Sequence, residues 1–240
     1  MNKTSYLSIL SVVLSVTAVT SCVCFFFIHN NDDNQSTVEG SMGGVVELEC
    51  GTTETIIGYG SGFIVEHEGI KVMTNAHVVT TIKNGNTVIY ESIKARFFDS
   101  EQKYELHVIS YDTQKDIAAL EFNDTDIPCK VLNLETKLAS YGQWVFAIGN
   151  ARGYGLSVTD GLVSIPEIII VRNGVERPCV VISAPMNEGD SGGPVLNADG
   201  KVIGMMSFRL RDNSDGTIQG MSYAIPSAEI EKYLNSFVHE

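Results

Sequence analysis

Short apolar segments separated by turn sequences run through most of this chain. Runs rich in valine and isoleucine are followed by turn signals such as Asn84-Gly85 and Asp199-Gly200. Asn-Gly and Asp-Gly fit the tight turns that join antiparallel strands. Apolar residues at helical spacing are scarce until the C-terminus. The pattern therefore predicts an all-β, antiparallel domain.

The last segment is the exception to this β pattern. Four apolar residues recur there at the spacing of one helix face: Ile230, Tyr233, Leu234 and Phe237. We expect a terminal helix over residues 227–238 that packs this stripe on the preceding domain. Ser227 is the predicted N-cap of that helix.

The N-terminal segment carries an uninterrupted uncharged stretch over residues 6–28. As a helix, this stretch is long enough to cross the hydrocarbon core of a membrane. Lys3 precedes it and Asp32 and Asp33 follow it, so the positive-inside rule leaves the N-terminus in the cytosol. The sequence predicts a signal anchor over residues 1–29, followed by a polar, flexible tether over residues 30–42.

Two other interpretations of the N-terminus stay open. Residues 19–22 resemble a bacterial lipobox, which would make Cys22 a lipidated N-terminus after cleavage, although the apolar run continues beyond that cysteine. A cleaved signal peptide with a soluble product is the third interpretation. All three place the following domain outside the cytosol, and we expect it to be membrane-anchored and periplasmic or extracellular.

Composition narrows the function classes. Of 240 residues, about 200 remain after the leader, enough for one sizeable core. The net charge of −13 repels phosphate backbones, so we expect no nucleic-acid partner. The five cysteines lack metal-ligand spacing, and no metal or organic cofactor is implied. Cys50, Cys129 and Cys179 are interpreted as small buried hydrophobic residues, with a disulfide between two of them as the alternative.

Ser191 lies in the sequence GDSGGP over residues 189–194, which points to a nucleophile. A serine hydroxyl is weak as a nucleophile at neutral pH and needs a base and an anion site. Glycines let the backbone turn tightly there, so that N–H groups converge beside the hydroxyl. We expect an oxyanion hole built from the backbone of Gly189, Asp190 and Ser191.

His77 and Asp116 are the candidates for the base and its partner. His77 lies in TNAHVV over residues 74–79, between an apolar strand at residues 70–73 and a short helical turn. Asp116 opens an apolar strand and is well placed to be half-buried. A carboxylate there can hold an imidazole in the correct tautomer and stabilise the imidazolium. The sequence therefore predicts a catalytic triad of His77, Asp116 and Ser191.

Four further motifs carry a family resemblance. They are GSGFIV at residues 60–65, AIGN at 147–150, SVTDGLVS at 157–164 and YAIPS at 223–227. With the order His, Asp, Ser, they resemble the HtrA/Deg branch of the chymotrypsin-like serine proteases, in register from about residue 45 to the C-terminus.

The resemblance implies a trypsin-like protease domain over residues 43–240. It would contain two antiparallel six-stranded β-barrels, over about residues 43–137 and 138–226, with the active site between them. The implied activity is that of a serine endopeptidase that works through an acyl-enzyme, in protein quality control or regulated proteolysis. The alternative is a chaperone-like or peptide-binding protein on a protease fold, with proteolysis silent or secondary.

Two departures from the family pattern stand out. The family usually carries a PDZ domain after the protease, and we expect none within this sequence, because only residues 227–240 follow the second barrel. Asp190 stands where this branch more often has asparagine. We expect its carboxylate to pair with a cation, either Arg152 or Arg172.

The family resemblance also indicates which residues would determine substrate specificity, from their positions in the sequence relative to Ser191. The residues expected to bind substrate are Pro185, Met186, Asn187, Met205, Met206 and Ser207. No acidic residue stands at the expected pocket base, so we predict cleavage after small or medium apolar residues. Residues 152–157 and 167–177 correspond to mobile activation loops.

Partners are expected on the same grounds. The resemblance implies protein or peptide substrates, unfolded or membrane-associated. It also implies a homotrimer, although residues 40–46 are short and lack the aromatic anchor that would favour one.

Overall fold

The computed structural model describes residues 34–172, 174–211 and 217–236. The predicted signal anchor and residues 30–33 of the tether lie outside the described residues. Within those three ranges no helix is both long and apolar enough to span a bilayer.

The predicted tether is helical where it is described. Residues 34–42 form helix α1, in which the Gln35 side chain donates a hydrogen bond to Glu39 at 2.8 Å. Side chains four positions apart stack on one helix face, so this contact supports the helical turn. The interpretation of residues 34–42 as a flexible tether is therefore wrong. These residues lack an apolar stripe, so hydrophobic periodicity does not indicate the helix.

The first barrel and its insertions follow in chain order. The elements are β1 (Val45–Gly51), β2 (Ile56–Glu66), β3 (Ile70–Thr74), α2 (Ala76–Val79), β4 (Thr80–Lys83), β5 (Asn86–Ile89), β6 (Ser92–Phe97), β7 (Lys103–Asp112) and β8 (Ile117–Phe122). Six strands close into an antiparallel barrel in the order β1-β2-β3-β8-β7-β6, while β4 and β5 form a separate hairpin.

Alternating burial shows why this sheet closes. In β6 the side chains of Ile93, Ala95 and Phe97 are buried and their neighbours are more exposed. Because successive side chains of a strand point to opposite faces, this period of two fills one face of the sheet. Tyr104 and Leu106 of β7 repeat the pattern and pack into the same core.

The second barrel has the same construction. Its elements are β9 (Trp144–Gly149), a short 3-10 helix η1 (Ala151–Gly153), β10 (Ser157–Arg172), β11 (Val175–Ile182), β12 (Pro194–Leu196), β13 (Val202–Arg211) and β14 (Thr217–Pro226). The closed order is β10-β11-β14-β13-β12-β9. The two barrels that the resemblance implies are both present. The expected loop over residues 167–177 is regular strand through Arg172 and again from Val175.

Helix α3 (Ser227–Leu234) follows the second barrel. Ile230, Tyr233 and Leu234 are buried as the apolar stripe predicts, while Phe237 lies outside the described residues. The predicted N-cap is wrong. Pro226 occupies the cap, and the Ser227 hydroxyl instead donates to the Glu135 carbonyl at 2.8 Å.

The three cysteines of the domain are free thiols, so the alternative of a disulfide is not formed. Cys50 and Cys179 are buried, and Cys129 is half-buried. Burial raises the pKa of Cys50 to about 12 and that of Cys179 to about 11. Since the thiolate is the reactive form, these two side chains behave as small apolar residues.

A close approach between β2 and α2 positions the segment that carries His77. A Cβ at Gly60 would lie 2.4 Å from Cγ1 of Val78, which is a buried residue of α2. Only glycine lets the strand and the helix pack at this distance.

We expect Gly60→Ala to destabilise the domain by about 1–3 kcal/mol, because the added methyl overpacks this contact. Thermal unfolding measures the effect. Gly58→Ala is the matched control, since a Cβ at that position of the same strand meets nothing within 4 Å. Equal melting temperatures for the two variants would contradict the packing argument.

Candidate active site

His77 of the first barrel and Ser191 of the second line one cleft of about 560 Å³. His77 belongs to α2 of the first barrel, and Ser191 precedes β12 of the second. Asp116, in the turn between β7 and β8, contacts His77 from within the protein. The structure therefore brings together the three residues predicted as a triad.

His77 contacts the Asp116 carboxylate through both its ring and its backbone. His77 Nδ1 lies 2.9 Å from Oδ1 and 3.0 Å from Oδ2 of Asp116, and the His77 backbone N–H donates to Oδ1 at 3.1 Å. Asn75 donates a side-chain hydrogen bond to the Asp116 carbonyl at 3.0 Å. A carboxylate at Nδ1 favours the tautomer with its proton there, which leaves Nε2 able to accept one.

The Asp116 carboxylate is buried yet stays ionised. Burial alone would raise its pKa. The hydrogen bonds and charge of His77, with the Ser207 hydroxyl, outweigh burial and hold the pKa below its ordinary value. The backbone of Asp116 adopts φ 62, in the left-handed region that few non-glycine residues occupy. The protein holds a strained residue here so that its carboxylate meets the imidazole.

Ser207 has a role that sequence reasoning missed. Its hydroxyl donates to Asp116 Oδ2 at 2.7 Å, and its carbonyl accepts a hydrogen bond from Ser191 Oγ at 3.1 Å. We predicted Ser207 only as a residue that lines the substrate site. One residue of β13 thus contacts both ends of the predicted triad.

Arg177 of β11 is a second residue that the sequence did not indicate. Its Nη2 donates to the Thr113 carbonyl at 3.0 Å, and its Nη1 lies 3.9 Å from Asp116 Oδ2. The guanidinium adds positive charge beside the buried carboxylate.

The hydroxyl of Ser191 is not yet aligned with the imidazole. It donates to the Ser207 carbonyl, and no hydrogen bond joins it to His77 in the described parts of the chain. Proton transfer to Nε2 therefore requires the hydroxyl to turn within the cleft.

The backbone around Ser191 provides two free donors. Gly189 adopts φ 95, and a Cβ on it would lie 2.2 Å from the Asn150 carbonyl oxygen, so only glycine fits. Across the described segments, neither the Gly189 N–H nor the Ser191 N–H donates a hydrogen bond. The Asp190 N–H, also predicted for the oxyanion hole, donates to the Asn187 carbonyl at 3.2 Å. The turn already uses that N–H group, so the two donors that remain for an oxyanion are the N–H groups of Gly189 and Ser191.

Neighbouring residues hold this turn in place. The Glu188 carbonyl accepts the Arg152 N–H at 2.7 Å, and the Gly189 carbonyl accepts the Ser61 hydroxyl at 2.8 Å. Ser61 also accepts the Asn150 N–H at 2.8 Å. Since both carbonyls are engaged elsewhere, neither competes for the free N–H groups.

The carboxylate of Asp190 is poorly compensated. Its Oδ2 accepts the Asn187 N–H at 2.6 Å, while Oδ1 is buried without a hydrogen-bond partner. The expected pairing with Arg152 or Arg172 is not formed, and Arg172 stacks on the Phe208 ring. Burial raises the pKa of Asp190 to about 6, although the Asn187 N–H and the charge of Arg209 oppose the rise.

The predicted substrate residues divide into two groups. Met186, Asn187 and Ser207 line the cleft. Pro185 is not among its lining residues, and Met205 and Met206 are buried, with Met206 in the core of the second barrel. Closure of the barrel around β13 turns these two methionines into core residues.

Six residues that line the cleft were missed by sequence reasoning: Ile170, Val171, Arg172, Glu188, Phe208 and Arg209. Half of them come from the end of β10, whose reach toward Ser191 depends on the closed barrel. For the described ranges, no group of three histidine, cysteine or acidic side chains is arranged to hold a metal ion.

Comparison with known proteins gives a consistent result. The family described as "Trypsin-like peptidase domain" matches residues 60–205. A probable periplasmic serine endoprotease DegP-like from Marinomonas sp. (strain MWYL1) is 35% identical over 168 residues, or 70% of this chain and 33% of that protein. The serine protease Do-like HtrA of Lactobacillus helveticus is 31% identical over 192 residues, or 75% of this chain and 43% of that protein. The chain thus spans less than half the length of these curated relatives.

Solved structures share the fold, and one of them matches over most of both chains. The crystal structure of Rv3671c protease in an inactive form has a TM-score of 0.68 at 22% identity. The match covers 85% of this chain and 93% of that one.

The raised pKa of Asp190 predicts a stability difference that depends on pH. Between about pH 4 and pH 6 the folded chain retains a proton that the unfolded chain releases, so the free energy of unfolding falls as pH rises through this range. Asp190→Asn removes the charge and should be more stable than wild type by about 1–3 kcal/mol at pH 8, with the difference vanishing near pH 4.

Thermal unfolding from pH 4 to pH 8 measures this difference, with Asp199→Asn at an exposed position as the control. A constant difference across that range, or a less stable Asp190→Asn at pH 8, would contradict the assignment.

Proposed function

This chain belongs to the trypsin-like peptidase family, with DegP and HtrA serine proteases as its homologues, and from this we propose that it is a serine endopeptidase outside the cytosol. The observation that carries the proposal is the Asp116–His77 pair beside a serine flanked by two free N–H groups. A protein that only binds peptides has no use for a buried carboxylate that orients an imidazole toward a cleft.

The mechanism begins with the Ser191 hydroxyl leaving the Ser207 carbonyl and turning to His77. As Oγ attacks the substrate carbonyl, His77 Nε2 takes the hydroxyl proton and Asp116 stabilises the imidazolium. The N–H groups of Gly189 and Ser191 donate to the oxyanion that forms.

The second half of the cycle releases the two products. His77 gives its proton to the leaving amine, and the peptide bond breaks to leave an ester on Ser191. Water then attacks the ester, His77 takes its proton, and the carboxylic acid product departs with Oγ reprotonated.

The proposal extends to specificity and setting. Met186 lines the cleft with an apolar side chain, which supports cleavage after small or medium apolar residues. The relatives named as periplasmic support an extracytoplasmic setting. A membrane anchor within residues 1–29 and assembly into a homotrimer remain proposals from the sequence.

A chaperone-like role with silent proteolysis is the second candidate. The hydrogen bond from Ser191 to the Ser207 carbonyl favours it, because this hydroxyl is not poised for attack. The same bond also fits a resting protease whose hydroxyl turns when substrate arrives.

A fluorophosphonate probe separates the two candidates, since it reacts only with an activated serine. We expect the wild-type protein to be labelled and Ser191→Ala to remain unlabelled. Ser164→Ala, at an exposed serine of β10, is the control and should label as the wild type does. Labelling that persists in Ser191→Ala would refute the nucleophile, and an unlabelled wild type would favour the chaperone-like role.

Ser207→Ala tests the hydrogen bond to Asp116. A hydrogen bond to a charged group contributes enough that its loss should lower kcat by about 10-fold, with KM little changed. Peptide hydrolysis measures both constants. Ser222→Ala is the matched control, because its buried hydroxyl donates to the Ala184 carbonyl at 2.7 Å, in the same barrel. Equal kcat values for the two variants would show that Ser207 does not position Asp116.

A further inference from the structure

The side chains that line the cleft beside Ser191 include more positive than negative groups. The sequence carries 16 lysines and arginines against 29 acidic residues. Yet two arginines, Arg172 and Arg209, line this cleft, together with a single acidic residue, Glu188. A local excess of positive charge in so acidic a chain indicates a site for negative charge.

Arg172 is exposed and held over an aromatic ring. Its guanidinium carbon lies 4.6 Å from the centroid of the Phe208 ring. Stacking on a ring face leaves the N–H groups at the edge of the guanidinium free to donate. In the part of the chain that the structure describes, Arg172 forms no ion pair and no hydrogen bond through its side chain.

Arg209 lies two residues beyond Ser207 on β13 and is half-buried. Its charge reaches Asp190, although no ion pair joins the two side chains. Within the described ranges Arg209 has no carboxylate partner either. Among the residues that the structure describes, nothing therefore occupies the side-chain donors that the two arginines could offer to a ligand.

The backbone beside these arginines is an open strand edge. β13 pairs with β12 only as far as Met205, opposite Pro194, whereas its pairing with β14 continues past Arg209, opposite Ser222, as far as Arg211. Residues 207–209 thus have one side without a strand partner among the described residues. An extended peptide can add to such an edge through its main chain.

The position of this edge sets where a bound peptide would present its side chains. The Ser207 carbonyl lies 3.1 Å from Ser191 Oγ, and Arg209 is about 6.6 Å farther along the strand at the ordinary rise per residue. In such a peptide, the residue whose carbonyl is attacked would lie over Met186 and Asn187, which line the cleft beside Ser191. The residues before it would then run past Phe208 and Arg209.

We propose that this protease takes substrates with an acidic side chain two to four residues before the scissile bond, bound by Arg172 and Arg209. The inference rests on the proposed function and names its substrate class. A planar guanidinium binds a carboxylate through paired, charge-assisted hydrogen bonds, which glutamine cannot replace at equal strength. The preference should weaken in high salt, because the site is open to solvent.

Matched fluorogenic peptides test the proposal with the full-length protein. All carry valine before the scissile bond, and each places glutamate or glutamine at one position, either two, three or four residues before the bond or two residues after it. We expect about 10-fold higher kcat/KM for glutamate over glutamine at one or more of the upstream positions, and no difference downstream.

The variants Arg172→Gln and Arg209→Gln, singly and together, should bring the ratio of kcat/KM for the glutamate and glutamine peptides close to one, whatever the absolute rates of each variant. Lys94→Gln is the control for the loss of one positive charge, since Lys94 pairs with Glu105 on the first barrel. Equal rates for the glutamate and glutamine peptides, or a preference that survives in the double variant, would overturn the proposal.

Peptide binding to Ser191→Ala separates this inference from the proposed function. Fluorescence polarisation with the same peptides should show tighter binding of glutamate peptides even where no hydrolysis is possible. If the wild type hydrolyses none of the peptides but glutamate peptides still bind more tightly, the proposed protease function is refuted and the acidic-peptide site is supported. If the wild type hydrolyses the peptides with no preference for glutamate in rate or in binding, the acidic-peptide site is refuted and the protease function stands.

Discussion

The carboxylate of Asp116 is buried where the two barrels meet, and the rest of the site is arranged around its compensation. A buried charge is tolerated only when hydrogen bonds and opposite charge replace the water it has lost. His77, from the first barrel, supplies two donors. The second barrel supplies the Ser207 hydroxyl and the nearby Arg177 guanidinium. The charge that orients the imidazole therefore also holds the barrels in register across the cleft.

Asp190 shows the opposite solution within the same site. Both aspartates are buried, but Asp116 has several donors and a lowered pKa, whereas Asp190 has one backbone donor and a raised pKa. The difference follows from hydrogen bonding, since burial raises the pKa of both carboxyls. The poorly compensated residue lies between the two free N–H groups of Gly189 and Ser191. The energetic cost of burying this carboxylate therefore falls on the turn that carries the two free N–H groups, as is common at functional sites.

Sequence reasoning succeeded where a feature depends on local periodicity. The apolar stripe of Ile230, Tyr233 and Leu234 reflects the geometry of one helix, so the residues alone identify it. It failed where contacts join distant segments. Ser207 meets Asp116 across 91 positions, and Arg177 meets Thr113 across 64. No local pattern encodes either contact, because closure of both barrels creates them.

The motif at residues 60–65 illustrates the same limit. Its resemblance to a family pattern was visible, but its physical purpose was not. Ser61 is fully buried, and its hydroxyl joins the Gly189 carbonyl to the Asn150 N–H. Its backbone N–H donates to the Ser191 carbonyl at 2.9 Å. A strand of the first barrel thereby fixes the nucleophile turn of the second.

The electrostatic effect of the cleft residues differs from that of the whole chain in sign and in range. A net charge of −13 acts over the whole surface and is screened within about 10 Å at ordinary ionic strength. Arg172 and Arg209 act at contact distance, where screening at ordinary ionic strength is weaker than over the whole surface, although their open site leaves them sensitive to high salt. An acidic peptide must therefore approach against the overall field and is held only once it reaches the strand edge at residues 207–209. Such a site selects acidic peptides by the geometry of their contacts, since the negative field of the whole chain does not attract them from a distance.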